Sequence, residues 1–277
     1  MAIITIYQGA SGSGEELAEA VAESLGAGCI SREVLVEASL RYGIPEAKLN
    51  RIVERESSWW QRFVENLEPY RIALQAAFCE IAASAGQNGL VYHGHLGHEL
   101  VPGFRHVVKV LLTAPMELRI EQVRARNALS ASAARRYIEE VDKARSRRLQ
   151  AMFGVDWRDP SRFDLVINLG RMSVAAAKHL ICETARLPDY QATPASKQAF
   201  EDFALASRVR AVLAMSDDLA RSKLDIKASC GIVTVSGSIP SWLSEEDVAA
   251  KVRVIPGVER VMTDIVQVPD MGVAEWP

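Results

Sequence analysis

Short apolar runs alternate with longer amphipathic segments along the first two thirds of the chain. Each run is apolar on both faces, which is typical of strands in a parallel sheet that helices cover on both sides. The predicted strands are Ala2–Tyr7, Gly89–Tyr92, Val107–Leu112 and Asp164–Asn168. The predicted helices are Glu15–Leu25, one beginning at Ser31 as N-cap, Tyr70–Ala85, Met116–Arg126, Ser130–Met152 and Val174–Ala185. This alternation predicts an α/β domain.

The pattern changes after a stretch rich in Pro, Ala and Ser, Leu187 to Lys197, which has the composition of a linker. Beyond it the elements follow the order αββαβ. They are Gln198–Met215, Leu224–Ala228, Ile232–Ser236, Glu245–Val254 and Val258–Val268. We therefore expect a first domain at residues 1–187, a linker at 188–199 and a small α+β domain at 200–277.

Composition narrows the class of protein. The chain has 277 residues, 49% hydrophobic and 24% charged, with a net charge of −3, which is ordinary for a globular protein and does not favour a nucleic-acid partner. No apolar run is long enough to span a membrane, and the N-terminus has the pattern of a strand entering a loop, not of a signal peptide. Four scattered cysteines without a CxxC pair indicate reduced, buried thiols, so we expect a cytoplasmic protein.

The first strand runs into a glycine-rich loop, Gly9 to Gly14, and then into a helix, which is the GxxxxG spacing of a phosphate-binding P-loop. Glycines let several backbone N–H groups point at a phosphate, and the helix dipole adds positive potential. A lysine and then Ser or Thr should follow, but Glu15 and Glu16 stand there. A carboxylate at the lysine position repels a triphosphate unless it points away. The alternative is a glycine-rich turn into an acidic helix start.

Further segments carry a resemblance to a known family. They are IITIYQGASGSGEELAEAVAESLG, ISREVLVEAS, GLVYHGHLG, VVKVLLTAPMELRIEQV, EEVDKARSRRLQAMFGVDW and FDLVINLGRMSVAAAKHLI. In order and spacing, residues 2–186 resemble the cytidylate-kinase-like family of P-loop nucleoside monophosphate kinases. The resemblance implies a phosphoryl-transfer scaffold that uses ATP and Mg²⁺ if it is active.

The resemblance also assigns roles to individual residues. It places a nucleotide on the loop, through Gly9, Ser11, Gly12, Ser13 and Gly14. It places the acceptor near Arg32, His95 and Arg148, and gives catalytic roles to Arg119, Asp142 and Arg145. Arginines suit this chemistry because their forked donors meet phosphoryl oxygens bidentately. The chain departs from the family at Glu15, and at His95 where the family tends to carry arginine.

Other clusters allow two interpretations each. A group of three histidines fits a transition-metal site or a polar loop at the sheet edge, and with no completing ligand no metal is predicted. An arginine-rich helix fits a phosphate-closing lid or a solvated helix with i,i+4 ion pairs. An aromatic cluster fits core packing or base stacking. The histidines are His93, His95 and His98, and the aromatic residues are Trp59, Trp60 and Phe63.

The last third has a resemblance of its own. The hairpin Cys230 to Gly237, a following helix and the turn Pro256-Gly257-Val258 resemble a BON domain over residues 205–268. The resemblance implies recognition of envelope phospholipids or small ligands and no catalysis. The mixed charges of its helices do not support membrane contact, which stays open together with oligomerisation.

Three functions are compatible with these features. The first is a cytidylate-like kinase whose transfer is weakened by its loop. The second is a catalytically inactive, kinase-derived protein that senses a nucleotide or other anionic small molecule and signals through the BON-like module. The third is an inert structural protein.

Overall fold

The fold was taken from a computed structural model, which describes residues 2–10, 13–54, 67–86, 88–101, 103–219 and 222–269. The chain divides into two compact units, Met1–Ser196 and Lys197–Pro277. The predicted loop residues Ser11 and Gly12 and the aromatic residues Trp59, Trp60 and Phe63 lie outside the described ranges.

The N-terminal unit is built on a parallel sheet that, within the described residues, has five strands in the order β2-β3-β1-β4-β5. The strands are β1 Ile3–Gln8, β2 Gly28–Ile30, β3 Leu90–His93, β4 Val107–Thr113 and β5 Leu165–Asn168. Every residue of the central strand β1 is buried, because helices cover both faces. The predicted α/β fold with a doubly covered parallel sheet is confirmed.

Helices fill the connections between these strands. They are α1 Gly14–Leu25, α2 Glu33–Tyr42, α3 Glu46–Glu54, α4 Glu68–Ser84, α5 Gly97–Leu100, α6 Met116–Asn127, α7 Ala131–Phe153 and α8 Val174–Arg186. Leu17 and Val21 of α1 and Ile181 of α8 pack with Ile4 and Val110 of the sheet. Because β1, β3 and β4 are parallel, the segments that follow them meet at one edge of the sheet.

Two sequence predictions about helix starts are wrong. Ser31 is not the N-cap of α2: Arg32 occupies that position without a side-chain cap, and the Ser31 backbone N–H donates to Glu33 Oε2 at 2.6 Å. The helix after the predicted linker, α9 Pro194–Ala214, begins inside that linker. Proline is tolerated in a first helical turn because its missing N–H would have no intrahelical partner there.

The C-terminal unit has the predicted αββαβ order. Helix α9 is followed by β6 Lys223–Ser229, β7 Ile232–Pro240, α10 Glu245–Arg253 and β8 Arg260–Val268. β7 pairs antiparallel with β6 and parallel with β8. Gly237 in β7 has φ +126°, and a Cβ there would lie 2.0 Å from the carbonyl oxygen of Lys223, so the close approach of the two strands requires glycine.

The cysteines are all free, but they are not all buried as expected. Cys79 and Cys182 are buried, whereas Cys29 in the edge strand β2 and Cys230 in the β6–β7 turn are exposed. Among the helices within the described ranges, none is both long and apolar enough to cross a bilayer.

Candidate active site

The glycine-rich loop leaves the carboxyl end of β1 and enters α1. Ser13 is the N-cap of α1, and Gly14 is its first residue. A Cβ on Gly14 would lie 2.3 Å from Gln8 Oε1 and 2.6 Å from His93 Nε2. Because these side chains pack directly against the helix start, the loop accepts no side chain at Gly14. The predicted strand, loop and helix arrangement is therefore present, and it is tightly packed.

The three residues predicted to be catalytic meet at this loop. Asp142 Oδ1 accepts the backbone N–H of Ala10 at 3.0 Å, and Asp142 Oδ2 lies 2.6 Å from Arg119 Nη2. Arg119 Nε donates to the Ala10 carbonyl at 3.2 Å. Arg145 Nη1 donates to the carbonyl of Gln8 at 2.8 Å. Helix α7 thus places a carboxylate and a guanidinium on the backbone of the phosphate loop.

Helix α6 holds the loop at two points. Besides the contact of Arg119 with Ala10, Gln122 Nε2 donates to Ser13 Oγ at 3.0 Å. Arg119 and Gln122 are three residues apart and therefore lie on the same helix face. Sequence reasoning missed Gln122, and its only signal was this spacing from Arg119.

The acidic residues after the loop point outward. Glu15 and Glu16 are both exposed in the first turn of α1. A carboxylate there interacts favourably with the positive end of the helix dipole, so the pair stabilises the helix start. The Glu15 carboxylate still adds negative charge at the position where a P-loop lysine would neutralise phosphate charge.

A second feature is a solvent-open cavity of about 390 Å³ at the carboxyl end of β3. Both predicted acceptor residues, Arg32 and His95, line this cavity. The rest of its lining is mainly apolar and includes Leu35, Leu74 and Tyr92. Arg32 Nη2 donates to Asn50 Oδ1 at 3.0 Å, which orients the guanidinium. The cavity therefore combines one fixed cation, one imidazole and an apolar surface.

Burial lowers the pKa of His95 well below its ordinary value, and the charges of Arg145, Arg148, His93 and His98 lower it further. His95 is therefore neutral near pH 7 and offers a hydrogen bond in place of the charge that arginine would supply. The predicted acceptor residue Arg148 is not among the residues that line the cavity. Its side chain is 2% exposed, and its positive charge acts on His95.

The histidine group has separate uses. His93 packs against Gly14, and burial lowers its pKa despite the attraction of Glu15. His98 is buried, its pKa is lowered to about 3 by burial, and its ring packs 5.0 Å from that of Tyr7 and 4.9 Å from that of Phe163. In the part of the chain that the structure describes, no three His, Cys, Asp or Glu side chains are grouped to hold a metal ion.

More than half of the sequence matches a known family model. The model of the cytidylate kinase-like family matches residues 3–171, which is more than half of the chain. The chain belongs to the cytidylate kinase-like family. A BON domain model matches residues 201–269.

Named relatives agree with this membership of the cytidylate kinase-like family. The cytidylate kinase of Methanopyrus kandleri is 38% identical over 80 residues, 29% of this chain and 41% of that enzyme. That of Sulfurisphaera tokodaii is 26% identical over 168 residues, 60% of this chain and 86% of that enzyme. The chain thus spans less than half of the first of these relatives. The solved structure of an uncharacterized protein from Eubacterium ventriosum matches this chain with a TM-score of 0.50 at 16% identity. The match covers 66% of this chain and 97% of that protein's chain, and it shows a shared fold.

Proposed function

We propose that the kinase-like domain binds a nucleotide phosphate on the Gly9–Gly14 loop and transfers a phosphoryl group from ATP to a nucleoside monophosphate, cytidylate or a close analogue, at a reduced rate. One observation carries the proposal. The Ala10 N–H is aimed at an oxyanion, the Asp142 carboxylate, and Arg119 contacts both partners. A phosphate oxygen has the same charge and accepts the same hydrogen bonds.

The residues present fit a phosphate better than they fit a complete ATP–Mg²⁺ site. A loop amide directed at an oxyanion and two guanidinium groups, Arg119 and Arg145, suit phosphate oxygens. Glu16 stands where the Ser or Thr hydroxyl that contacts Mg²⁺ is expected. Mg²⁺, if bound, would neutralise phosphate charge, and Glu16 would replace the usual hydroxyl beside it.

Each side chain has a role in this proposal. Arg119 and Arg145 stabilise charge on the transferred phosphoryl group, because a transition state of this kind spreads charge over several oxygens. Asp142 positions Arg119 and holds the loop until the nucleotide arrives. Arg32 binds the acceptor phosphate, and neutral His95 donates to or accepts from a polar group of the acceptor.

Two features weaken transfer. The Glu15 carboxylate repels phosphate where a lysine would attract it, and two unit charges about 4 Å apart interact by roughly 4 kcal/mol at an effective dielectric near 20. Exposure of Glu15 to solvent reduces that figure. Asp142 also competes with the nucleotide for the Ala10 N–H.

The test is ADP formation from ATP and Mg²⁺ with each nucleoside monophosphate in turn. We expect slow, acceptor-dependent ADP formation that is lost in Arg119→Ala and kept in Arg124→Ala, a solvent-exposed arginine of the same helix. Acceptor-independent ADP formation, or equal rates in both variants, would contradict the proposal.

The alternative is a pseudoenzyme that binds a nucleotide without turnover and passes the signal on through the BON domain as an interaction module. The observation that favours it is the joint loss of two cations, at Glu15 and at His95, together with a carboxylate on the loop amide. Calorimetry decides between the two. Nucleotide binding without ADP formation for any monophosphate at high enzyme concentration supports the pseudoenzyme, and absence of all binding excludes both.

A further inference from the structure

One edge of the sheet in the C-terminal unit is a long strand that is open to pairing. β8, Arg260–Val268, is last in the order β6-β7-β8, so among the strands that the structure describes it has a neighbour on one side only. Native sheets protect such edges with lysine, proline or a bulge. The opposite edge strand β6 carries Lys223 and Lys227. β8 has neither lysine nor proline among its nine residues, and its register with β7 is unbroken.

The hydrogen bonds between β7 and β8 show which backbone groups reach the open edge. The Arg260 N–H donates to the Gly231 carbonyl at 3.3 Å, so Arg260 directs its backbone groups at β7. Successive residues of a strand direct these groups to alternate sides, and Val261, Thr263 and Ile265 therefore direct theirs away from β7. In an antiparallel pair, residues of this kind exchange the hydrogen bonds. The residues between them bring their side chains closest together.

The side chains around Met262 are charged in a symmetric way. Arg260, Met262 and Asp264 are exposed, whereas Val261 and Ile265 pack in the hydrophobic core of the C-terminal unit. The cation lies two residues before Met262 and the anion two residues after it, on the same face of the sheet. When two β8 strands pair antiparallel about Met262, Arg260 of each strand lies opposite Asp264 of the other.

We propose that the β8 edge pairs with the β8 edge of a second copy of this chain, antiparallel and with Met262 opposite Met262. A two-fold interface must be self-complementary, and this register satisfies the requirement with two opposite-charge pairs. Opposite charges that face each other across an antiparallel pair are stabilising, and like charges are destabilising. A register centred on Asp264 would bring the two Asp264 carboxylates together. The inference does not depend on phosphoryl transfer in the N-terminal unit.

Sedimentation of the full chain at several concentrations is the first experiment. We expect a monomer–dimer equilibrium with a dissociation constant below about 100 μM. Arg260→Asp and Asp264→Arg each turn both attractive pairs into repulsive ones, so each should weaken the dimer about 10- to 100-fold. Lys227→Asp and Asp225→Arg make the same changes of charge on β6 and are the matched controls. Neither control should change the dissociation constant.

An equimolar mixture of the two β8 variants separates lost pairing from lost folding. In the mixed dimer, the introduced Asp of one copy faces the introduced Arg of the other, and the natural Asp264 faces the natural Arg260. The mixture should therefore regain the dimer that each variant lacks alone. No recovery in the mixture overturns the inference, as does a dissociation constant that neither variant changes. A natural chain that remains a monomer at about 100 μM also overturns it and leaves the edge to a strand of another protein.

Disulfide crosslinking tests the register. Residues that face each other in a non-hydrogen-bonded antiparallel pair have Cα atoms about 4.5 Å apart, which is within the range of a disulfide. In a glutathione redox buffer, Met262→Cys should form a covalent dimer. Val266→Cys is the matched control: Val266 is 63% exposed, but its two copies lie far apart along the strands in this register. Val266→Cys should crosslink no more than the natural chain. Equal crosslinking of both variants, or none in Met262→Cys, contradicts the register.

Discussion

Asp142 Oδ1 accepts the backbone N–H of Ala10 at 3.0 Å, across 132 residues of sequence. The second oxygen of the carboxylate is held by Arg119 at 2.6 Å. A side chain of the domain thus accepts from one amide of the loop. Under the proposed function, a nucleotide displaces Asp142 before it gains that amide and that guanidinium.

Removing the charge of Asp142 should therefore strengthen nucleotide binding. In Asp142→Asn the amide oxygen still accepts from Ala10, but the negative charge that competes with phosphate is gone. We expect ATP to bind about 10-fold more tightly, or about 1.4 kcal/mol, measured by calorimetry. Glu139→Gln, an exposed change on the same helix, is the control. Weaker ATP binding in Asp142→Asn would show that the carboxylate assists the nucleotide.

Restoring the lysine of the P-loop tests the second source of weakness. Glu15→Lys replaces repulsion with attraction at the loop and should raise ATP affinity at least about 10-fold, since the change reverses a charge beside the phosphates. Glu19→Lys makes the same change of charge one helical turn away, where Glu19 is exposed. If both variants bind ATP equally well, the gain comes from net charge and not from the loop.

The acceptor cavity predicts that a change at Arg32 affects binding of CMP but not binding of ATP. Arg32→Gln removes the fixed cation of the cavity and should weaken CMP about 10-fold, because a hydrogen bond to a charged group contributes about 1.5–3 kcal/mol. ATP affinity should not change. Arg41→Gln, near the other end of α2 and paired there with Glu37, should leave both affinities as they are. Parallel loss of ATP and CMP binding in Arg32→Gln would contradict the assignment of the cavity.

The buried His98 predicts acid instability. Its folded pKa, about 3, lies below the ordinary value of 6.5, mainly through burial and secondarily through Lys109 and Arg162. The unfolded chain therefore binds the extra proton between pH 6.5 and 3, and stability falls as pH is lowered through that window. One such group lowers the free energy of unfolding by about 1.4 kcal/mol per pH unit.

His98→Phe isolates this contribution from those of His93 and His95. Phenylalanine keeps the ring contacts with Tyr7 and Phe163 and removes the titrating nitrogens. Urea unfolding at pH 7 and pH 5 should show a smaller loss of stability in the variant than in the natural protein. Identical losses would mean that His98 takes up its proton equally in both states.

The close strand approach at Gly237 predicts that a side chain at this position destabilises the BON domain. In Gly237→Ala the new Cβ meets the Lys223 carbonyl oxygen at 2.0 Å, and φ +126° is strained for any residue with a Cβ. We expect a loss of about 3 kcal/mol, against about 0.5 kcal/mol or less for Ser236→Ala. Urea unfolding of the full chain followed by circular dichroism measures both. A loss in Gly237→Ala no larger than in Ser236→Ala would contradict the observed strand approach.

The periodicity of apolar residues predicted the long, buried helices and strands. It did not predict elements whose apolar residues follow no clear period. β1 and β4 are continuous apolar runs and were found. β2, Gly28–Ile30, was missed because it has three residues and lies at the sheet edge without a buried side chain. The start of α9 at Pro194 was missed because Pro, Ala and Ser together have the composition of a linker, although each of them is compatible with a first helical turn.

The site was predictable only where a family resemblance carried it. Periodicity alone explained the arginines of α7 as a solvated face, and the resemblance singled out Asp142 and Arg145. Gln122 was missed because its role comes from a contact between distant segments, with Ser13 of the loop.

The most direct measurement is an experimental structure of the protein with a non-hydrolysable ATP analogue and CMP at saturating concentration. We predict a phosphate oxygen within hydrogen-bond distance of the Ala10 N–H, with the Asp142 carboxylate displaced from it. A structure in which Asp142 still accepts from Ala10, with the nucleotide bound elsewhere or not at all, would contradict the account.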